Sequence, residues 1–310
     1  MAPDCSALGD GDPSYADLGL AAGNGFLRYV LGTLLIGIWV VGAVMAAVLL
    51  QQELLLPSSA LLPGGMGRIL FQDICRLAPL LLAIGSVLVL LRLILPHLHD
   101  RPWRDLIGPQ HRLSFGVLLR SSLLWLAILA VPSLAALFMG DETLRMQAVE
   151  PVRFLLFVLF LMPAILIQVA AEEALFRGYL FQGFQVAFRS MFMAAVPVAA
   201  LFALAHAGSH TVHGWLAYAL YAALSLFLSA VTIRSNRLEP AIGIHFAQNL
   251  TAIFLFGSFD PDLPALAAAA DLSMTWLDLL GFGLAALVYY QIAFRWGWVT
   301  QPRGKKPVPL

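Results

Sequence analysis

The residues best suited to chemistry begin with two adjacent glutamates, Glu172 and Glu173, at the end of an apolar stretch. Ionisable side chains at membrane depth are costly, so they need partners and are functional candidates. Glu173 and Arg177 are four residues apart, which predicts an ion pair between them on a helix. Glu172 points about 100° away on such a helix and lacks that partner. Glu172 is therefore the better candidate for a general base.

Two further pairs repeat the spacing of four within apolar stretches: Phe202 with His206, and His245 with Asn249. On one helical face, the imidazole of His245 and the carboxamide of Asn249 present N–H donors to a common point. Such donors suit the oxyanion that forms when a peptide carbonyl is attacked. Glu172 together with His206 can hold and deprotonate a water molecule.

Each element also has a structural interpretation. The two glutamates can end a helix at the membrane interface, with Arg177 extending towards the lipid headgroups. His206 can be a buried histidine with one ring nitrogen satisfied by a hydrogen bond. The spacing of His245 and Asn249 within one span is less easily explained by structure alone.

Zinc is the main mechanistic alternative, because one glutamate and two histidines can fill three positions of an open zinc site. The sequence has no HExxH motif, and Asn249 beside His245 suits an oxyanion better than a metal ion. We therefore predict a site without a metal or other cofactor. His210 and His213 are interpreted as solvated loop histidines.

The ordered elements resemble the CPBP family, which comprises CAAX proteases and bacteriocin-processing enzymes. Three motifs carry the resemblance: EExxxR at Glu172, Glu173 and Arg177, FxxxH at Phe202 and His206, and HxxxN at His245 and Asn249. The first motif is quite specific, and the other two gain weight from their order. The resemblance covers roughly residues 152–256.

The resemblance implies a glutamate-dependent intramembrane endopeptidase. In that family pattern, Glu172 and His206 activate the attacking water, whereas His245 and Asn249 form the oxyanion hole. Glu173 and Arg177 support the catalytic set. The implied substrate is a membrane-associated protein or peptide.

The composition requires that these residues be positioned by membrane helices. Of the 310 residues, 60% are hydrophobic and 12% are charged, and the mean hydropathy is +0.85. Soluble domains are about half apolar and about a quarter charged. We therefore predict an all-α, polytopic integral membrane protein whose partner is the lipid bilayer. The formal net charge of +0 gives no basic field to attract nucleic acid.

About eight transmembrane helices are predicted, since a span needs roughly 20 apolar residues. The predicted spans are Phe26 to Leu50, Leu77 to Leu95, Phe115 to Phe138, Val152 to Ala171, Met191 to Ala207, Gly214 to Ile233, Pro240 to Phe256 and Trp276 to Trp296. They form one membrane-embedded domain at 26–298, with the protease-like core at about 152–256. A polar tail, 1–25, precedes the domain, and a basic tail, 299–310, follows it.

The basic residues predict the orientation of these spans, because cytoplasmic loops are enriched in lysine and arginine. Of the 18 lysines and arginines, all but Arg68, Arg76, Arg145 and Arg153 fall on one side of the alternating spans. Both termini are therefore predicted to be cytoplasmic, in the inner membrane of a bacterium. The first residues lack the basic region of a cleaved signal, so insertion is expected to begin with the first span.

The predicted boundaries leave a conflict of depth between Glu172 and His206. Glu172 lies near the cytoplasmic end of its span, whereas His206 lies some 15 residues, or about 22 Å, into the next. Either the fourth helix continues past Glu172 towards Phe184, or the fifth is displaced and residues 208–214 line a cavity.

The competing function is a non-enzymatic membrane protein, either an immunity protein or a small-solute transporter. A transporter is favoured by paired repeats and two similarly broken helices. We find neither in the sequence.

Overall fold

The computed structural model describes residues 15–20, 25–61, 66–139, 144–146, 150–206, 215–255, 267–269 and 275–299. Its α-helices are α1 (Phe26–Leu61), α2 (Met66–Gly85), α3 (Val87–His99), α4 (Phe115–Phe138), α5 (Pro151–Glu173), α6 (Phe181–Phe188), α7 (Met191–Ala205), α8 (Trp215–Ser235), α9 (Glu239–Leu250) and α10 (Trp276–Tyr290). Turns of π-helix occupy Ala174–Leu180, Thr251–Leu255 and Gln291–Arg295, and short 3-10 helices occupy Tyr15–Gly19 and Trp103–Leu106. Two three-residue strands, β1 (Leu144–Met146) and β2 (Ala267–Ala269), pair antiparallel.

The protein is an all-α polytopic membrane protein, as predicted. Within the described residues, six helical segments are long and apolar enough to cross a membrane: Phe26–Leu54, Leu70–His99, Phe115–Ala135, Pro151–Phe188, Trp215–Ser235 and Trp276–Arg295. The other two predicted spans are also helical but shorter than this criterion: α7 has 15 residues, and α9 has 12 and is continued by the π turn Thr251–Leu255. Among the described residues, six helical segments rather than about eight therefore reach spanning length.

The outer surface is apolar, which suits contact with lipid. Leu27 is 80% exposed and Ile38 is 73% exposed on α1, and Leu277 is 75% exposed on α10. Leucine and isoleucine side chains so exposed to water would form a large unfavourable surface, whereas acyl chains solvate them. The buried polar residues lie further inside the bundle.

The predicted fourth span ended too early at Ala171. Helix continues through α5, the π turn and α6, so that a single helical segment runs from Pro151 to Phe188. Glu173 and Arg177 do not end the helix because they neutralise one another inside it. The first of the two proposed solutions to the depth conflict is therefore correct. Residues 208–214, which the second solution required, lie outside the described part of the chain.

Contacts near the predicted cytoplasmic ends join helices that the alternation places on one side. Arg28 on α1 pairs with Asp100 after α3 at 3.3 Å. The backbone N–H of Leu238 before α9 donates to the carbonyl of Ile107 at 3.0 Å. These contacts bring the ends of α1, α3 and the loop before α9 together at one end of the bundle.

Part of the predicted N-terminal tail packs against the 3-10 helix Trp103–Leu106 and the turn at Asn236. Tyr15 is 1% exposed, and its hydroxyl donates to the carbonyl of Leu106 at 2.7 Å. The backbone N–H of Tyr15 donates to the side chain of Asn236. Burial raises the pKa of the Tyr15 phenol above its ordinary value, so it stays neutral. The segment Tyr15–Gly19 is thus a folded part of the membrane domain.

Close contact between α4 and α9 requires glycine at position 243. A Cβ atom there would lie 2.5 Å from the carbonyl oxygen of Leu118 and 2.9 Å from Cβ of Ser121. We expect Gly243→Ala to push α9 away from α4 and to lower the free energy of unfolding by roughly 1–3 kcal/mol. Thermal unfolding in detergent measures the effect.

The matched control is Gly281→Ala on α10, where an added Cβ has no heavy atom within 4 Å. Alanine is the better helix former by about 1 kcal/mol at most, so this variant should be as stable as the wild type or slightly more so. Equal stability of both variants would contradict the proposed packing of α9 on α4.

Candidate active site

The centre of the site is built where α5 passes into a π turn. Glu173 is the last residue of α5, and Arg177 lies within the π turn Ala174–Leu180. Arg177 Nη1 donates to Glu173 Oε1 at 2.8 Å, and both residues are 0% exposed. The predicted ion pair therefore forms inside the protein. Single turns of π-helix within α-helices occur frequently at functional sites.

The aromatic ring of Phe202 links this ion pair to His206. The guanidinium carbon of Arg177 lies 4.5 Å from the ring centroid of Phe202, within the range of a cation–π contact. The rings of Phe202 and His206 are 4.3 Å apart. Phe202 therefore packs against both a buried cation and a candidate catalytic histidine, which gives the FxxxH spacing a physical reason.

Both histidines have one ring nitrogen engaged and the other directed at Glu172. His206 Nδ1 lies 2.8 Å from the carbonyl oxygen of Phe202, and His245 Nδ1 lies 2.7 Å from Glu173 Oε1. Both partners are acceptors, so the proton in each neutral ring is assigned to Nδ1. The Nε2 atom of each neutral ring then carries a lone pair.

Glu172 lies between these two Nε2 atoms. Its Oε2 atom is 3.6 Å from His245 Nε2 and 3.9 Å from His206 Nε2. Both distances exceed that of a direct hydrogen bond, and separations of this size suit a bridging water molecule. Glu172 Oε2 is buried and has no hydrogen-bond partner among the described residues. The arrangement can therefore bind a small polar group between one carboxylate and two imidazoles.

The sum of the charges matters because the cluster is buried. Glu172 and Glu173 each contribute −1 when ionised and Arg177 contributes +1, which gives −1 in total. One additional proton, on either histidine or on Glu172, makes the cluster neutral. An uncompensated buried charge is unfavourable, so the charges of these side chains are coupled to one another.

Helix lengths explain how Glu172 and His206 reach the same depth. Glu172 lies 16 residues before Phe188, the end of α6, and His206 lies 15 residues after Met191, the start of α7. At about 1.5 Å per residue these separations are about 24 Å and about 22 Å. Because α6 and α7 meet at a short turn, the two side chains return to one level. His210 and His213 lie outside the described residues.

Asn249 lies one turn after His245 but has a partner of its own. Its Nδ2 atom donates to Gln168 Oε1 at 3.2 Å. Gln168 is 5% exposed and lies four residues before Glu172 on α5. Sequence reasoning missed Gln168, although a glutamine within an apolar run and in register with Glu172 was a detectable signal.

All six predicted site residues are thus in one region, between α5, the π turn, α7 and α9. Among the residues that the structure describes, no three His, Cys, Asp or Glu side chains form a group that could hold a metal ion. The absence of a metal cofactor stays a prediction that needs its own experiment.

Glu172, His206 and His245 thus lie together inside a bundle of apolar helices. Residues 153–251 match the family model of Rce1-like type II CAAX prenyl endopeptidases. This match confirms the resemblance to the CPBP family. The matched stretch contains all the residues of the three motifs.

A curated relative is an uncharacterised protein of Bacillus subtilis (strain 168), YyaK. It is 24% identical over 172 residues, which are 55% of this chain and 56% of the relative. The chain therefore matches only about half of the length of this relative. No solved structure matches the chain significantly.

Proposed function

We propose that the protein is an intramembrane endopeptidase in which Glu172 activates a water molecule to hydrolyse a peptide bond. The observation that carries the proposal is the position of Glu172 Oε2, at 3.6 Å and 3.9 Å from two histidine Nε2 atoms. The neighbouring Glu173 is already committed to Arg177 and His245. Glu172 Oε2 and Glu173 Oε2 both have no hydrogen-bond partner among the described residues, and we choose Glu172 because its free oxygen faces both Nε2 atoms.

In the proposed reaction, water held by Glu172 and His206 attacks the carbonyl carbon, and its proton moves to Glu172. The carbonyl oxygen becomes an oxyanion in the tetrahedral intermediate. Collapse of the intermediate breaks the C–N bond, and the proton passes from Glu172 to the leaving amine. One water is consumed, and one carboxylate and one amine are formed.

His245 can donate to the oxyanion only when its Nε2 atom carries a proton. Its Nδ1 atom is directed at Glu173, and a second proton makes the ring an imidazolium whose charge neutralises the cluster. The Glu173–Arg177 pair therefore supports catalysis by fixing the His245 ring. This is a refinement of the predicted roles, since Glu173 contacts a histidine as well as Arg177.

The placement of the basic residues also supports the predicted location and orientation of the protein in the membrane. We propose that it lies in a bacterial inner membrane with both termini cytoplasmic, because most basic residues fall on that side of the spans. The helical segment Pro151–Phe188, which carries Glu172, is long enough to cross a membrane. Its substrate is then a protein or peptide that is itself associated with the membrane.

The test uses purified protein in liposomes and an internally quenched peptide with a farnesylated C-terminal CAAX sequence, chosen from the description of the matching family. The same peptide without the farnesyl group is the control. Cleavage is expected to give two fragments whose masses sum to those of the peptide and one water. An intact farnesylated peptide would contradict this substrate class. Transport or tight binding without cleavage would favour the transporter or immunity protein.

Loss of the Asn249 donor should depress turnover more than substrate binding. We expect Asn249→Ala to lower kcat by about 10²–10³ with little change in KM, because the carbonyl oxygen needs this donor most when it is charged. Asn249→Asp should be worse, since a carboxylate repels the developing oxyanion. Steady-state kinetics with the farnesylated peptide measures both constants. An effect on KM alone would instead place Asn249 in substrate binding.

Metal analysis decides between a glutamate-activated water and zinc. We expect full activity in chelator and no stoichiometric metal in the purified active protein, because the proposed mechanism requires no ion. Elemental analysis of wild type and His206→Ala makes the comparison. Stoichiometric zinc that tracks activity and is lost in His206→Ala would overturn the metal-free mechanism.

A further inference from the structure

Gln168 and Asn249 form a second polar contact between α5 and α9, parallel to the one between Glu172 and His245. The first contact joins Gln168 Oε1 to Asn249 Nδ2 at 3.2 Å, and the second brings Glu172 Oε2 to 3.6 Å from His245 Nε2. The residues on each helix are four apart, so the two contacts lie one turn, or about 6 Å, from each other. Both involve residues of the proposed catalytic set.

A primary amide such as that of Asn249 has two N–H donors on nitrogen and an acceptor oxygen. The contact with Gln168 engages the nitrogen, and it leaves one N–H available to another group. With the Gln168 oxygen facing Asn249, a flipped Asn249 carboxamide would place oxygen against oxygen. The assigned orientations of the two amides therefore make the nitrogen end of Asn249 the donor.

We propose that Gln168 is a positioning residue that orients the Asn249 carboxamide as a donor to the oxyanion. The proposal rests on the function assigned to Asn249 above. An oxyanion donor is effective when it is oriented before the charge develops, since no energy is then spent on reorientation during the reaction. A glutamine that is 5% exposed at this position supplies such orientation, whereas an apolar side chain would leave the amide free to rotate.

A purely structural role for Gln168 makes a different prediction. If the hydrogen bond only joins α5 to α9, its loss should lower thermal stability and should reduce kcat no more than other destabilising changes do. If Gln168 acts through Asn249, its loss should reduce kcat specifically. The loss should also disappear when Asn249 is already absent.

The experiment is a double-mutant cycle with Gln168→Leu, Asn249→Ala and the double variant, assayed in liposomes with the farnesylated CAAX peptide. We expect Gln168→Leu to lower kcat at least tenfold, but by less than the roughly 10²–10³ expected for Asn249→Ala. KM should stay within about twofold, as for a group that acts in the transition state. The double variant should have the kcat of Asn249→Ala alone, because interacting residues are not additive.

Two further variants separate orientation from packing. Gln168→Met keeps the length of the side chain but removes the amide oxygen that accepts from Asn249 Nδ2, so it should lose kcat as Gln168→Leu does. Gln185→Leu makes the same substitution at a buried glutamine on α6, for which no contact with Asn249 is found. It should leave kcat unchanged.

Wild-type kcat in Gln168→Leu, with Asn249→Ala strongly impaired, would overturn the role of Gln168 and leave the proposed function intact. Multiplicative losses in the double variant would overturn it as well, because the two residues would then act independently. If Asn249→Ala itself has wild-type kcat, the oxyanion assignment fails, and with it the reason for positioning Asn249.

Discussion

Glu172→Gln is expected to abolish cleavage while leaving the fold intact. The substitution keeps the size of the side chain but removes the base that takes the proton from water, and general-base catalysis contributes about 10²–10⁴ in rate. Glu172 Oε2 has no hydrogen-bond partner among the described residues, so neutralising it breaks no such contact there. The thermal unfolding temperature should therefore change little. Cleavage of the farnesylated peptide and thermal unfolding are measured on the same preparation.

The matched control is Glu53→Gln, which removes a carboxylate from an exposed position on α1. It should cleave the peptide at the wild-type rate. A Glu172→Gln variant that also retained near wild-type cleavage would exclude the glutamate mechanism. Lost activity with a large loss of stability would show that Glu172 is needed for folding.

Arg177→Ala has the second large expected effect, and it falls on stability. Removing the guanidinium leaves Glu173 as an uncompensated charge that is 0% exposed, which costs roughly 3–5 kcal/mol. The variant also loses the cation–π contact with Phe202. We expect a large decrease in the free energy of unfolding together with loss of cleavage, both measured in detergent and in liposomes.

Arg28→Ala is the control for this prediction, because it breaks an ion pair at the surface. The side chains of Arg28 and Asp100 are 48% and 82% exposed. Such pairs contribute about 0–1 kcal/mol, so Arg28→Ala should be nearly as stable as the wild type. Equal stability of Arg177→Ala and Arg28→Ala would rule out a supporting role for the buried pair.

Glu172→Gln is expected to affect cleavage and Arg177→Ala to affect stability because the two adjacent glutamates have different surroundings. Glu173 accepts from Arg177 and contacts His245, whereas Glu172 faces two histidine nitrogens without a direct hydrogen bond. Glu173 is therefore the paired carboxylate, and Glu172 is the one that we propose for chemistry. The helical spacing of EExxxR was sufficient to predict this division, because an angular offset of about 100° is a property of any helix.

The contact between Glu173 and His245 was not predictable from spacing. It depends on the packing of α5 against α9, which are separated by more than sixty residues of chain. The sequence placed Glu173 with Arg177 and His245 with Asn249, each within one helix. Contacts between side chains on different helices depend on how those helices cross. The hydropathy of the sequence contains no information about that crossing.

Helix boundaries were the weakest predictions for a related reason. Counting apolar residues ended the fourth span at Ala171, because charged residues follow it. Inside the protein those charges compensate one another, so the helix continues to Phe188. The predicted span Pro240 to Phe256 is helical almost throughout, as α9 and the π turn that follows it, but α9 begins at the buried Glu239 and carries His245. Because its polar side chains are buried, α9 lines the site.

Comparison of protein termini in cells tests the central claim most directly, since it requires no assumption about the substrate. Cells lacking the gene are complemented with wild type, Glu172→Gln or Glu53→Gln at equal expression, and new termini of membrane-associated proteins are identified by mass spectrometry. We predict new termini with wild type and Glu53→Gln that are absent with Glu172→Gln. Identical termini in all three strains would contradict an endopeptidase that depends on Glu172.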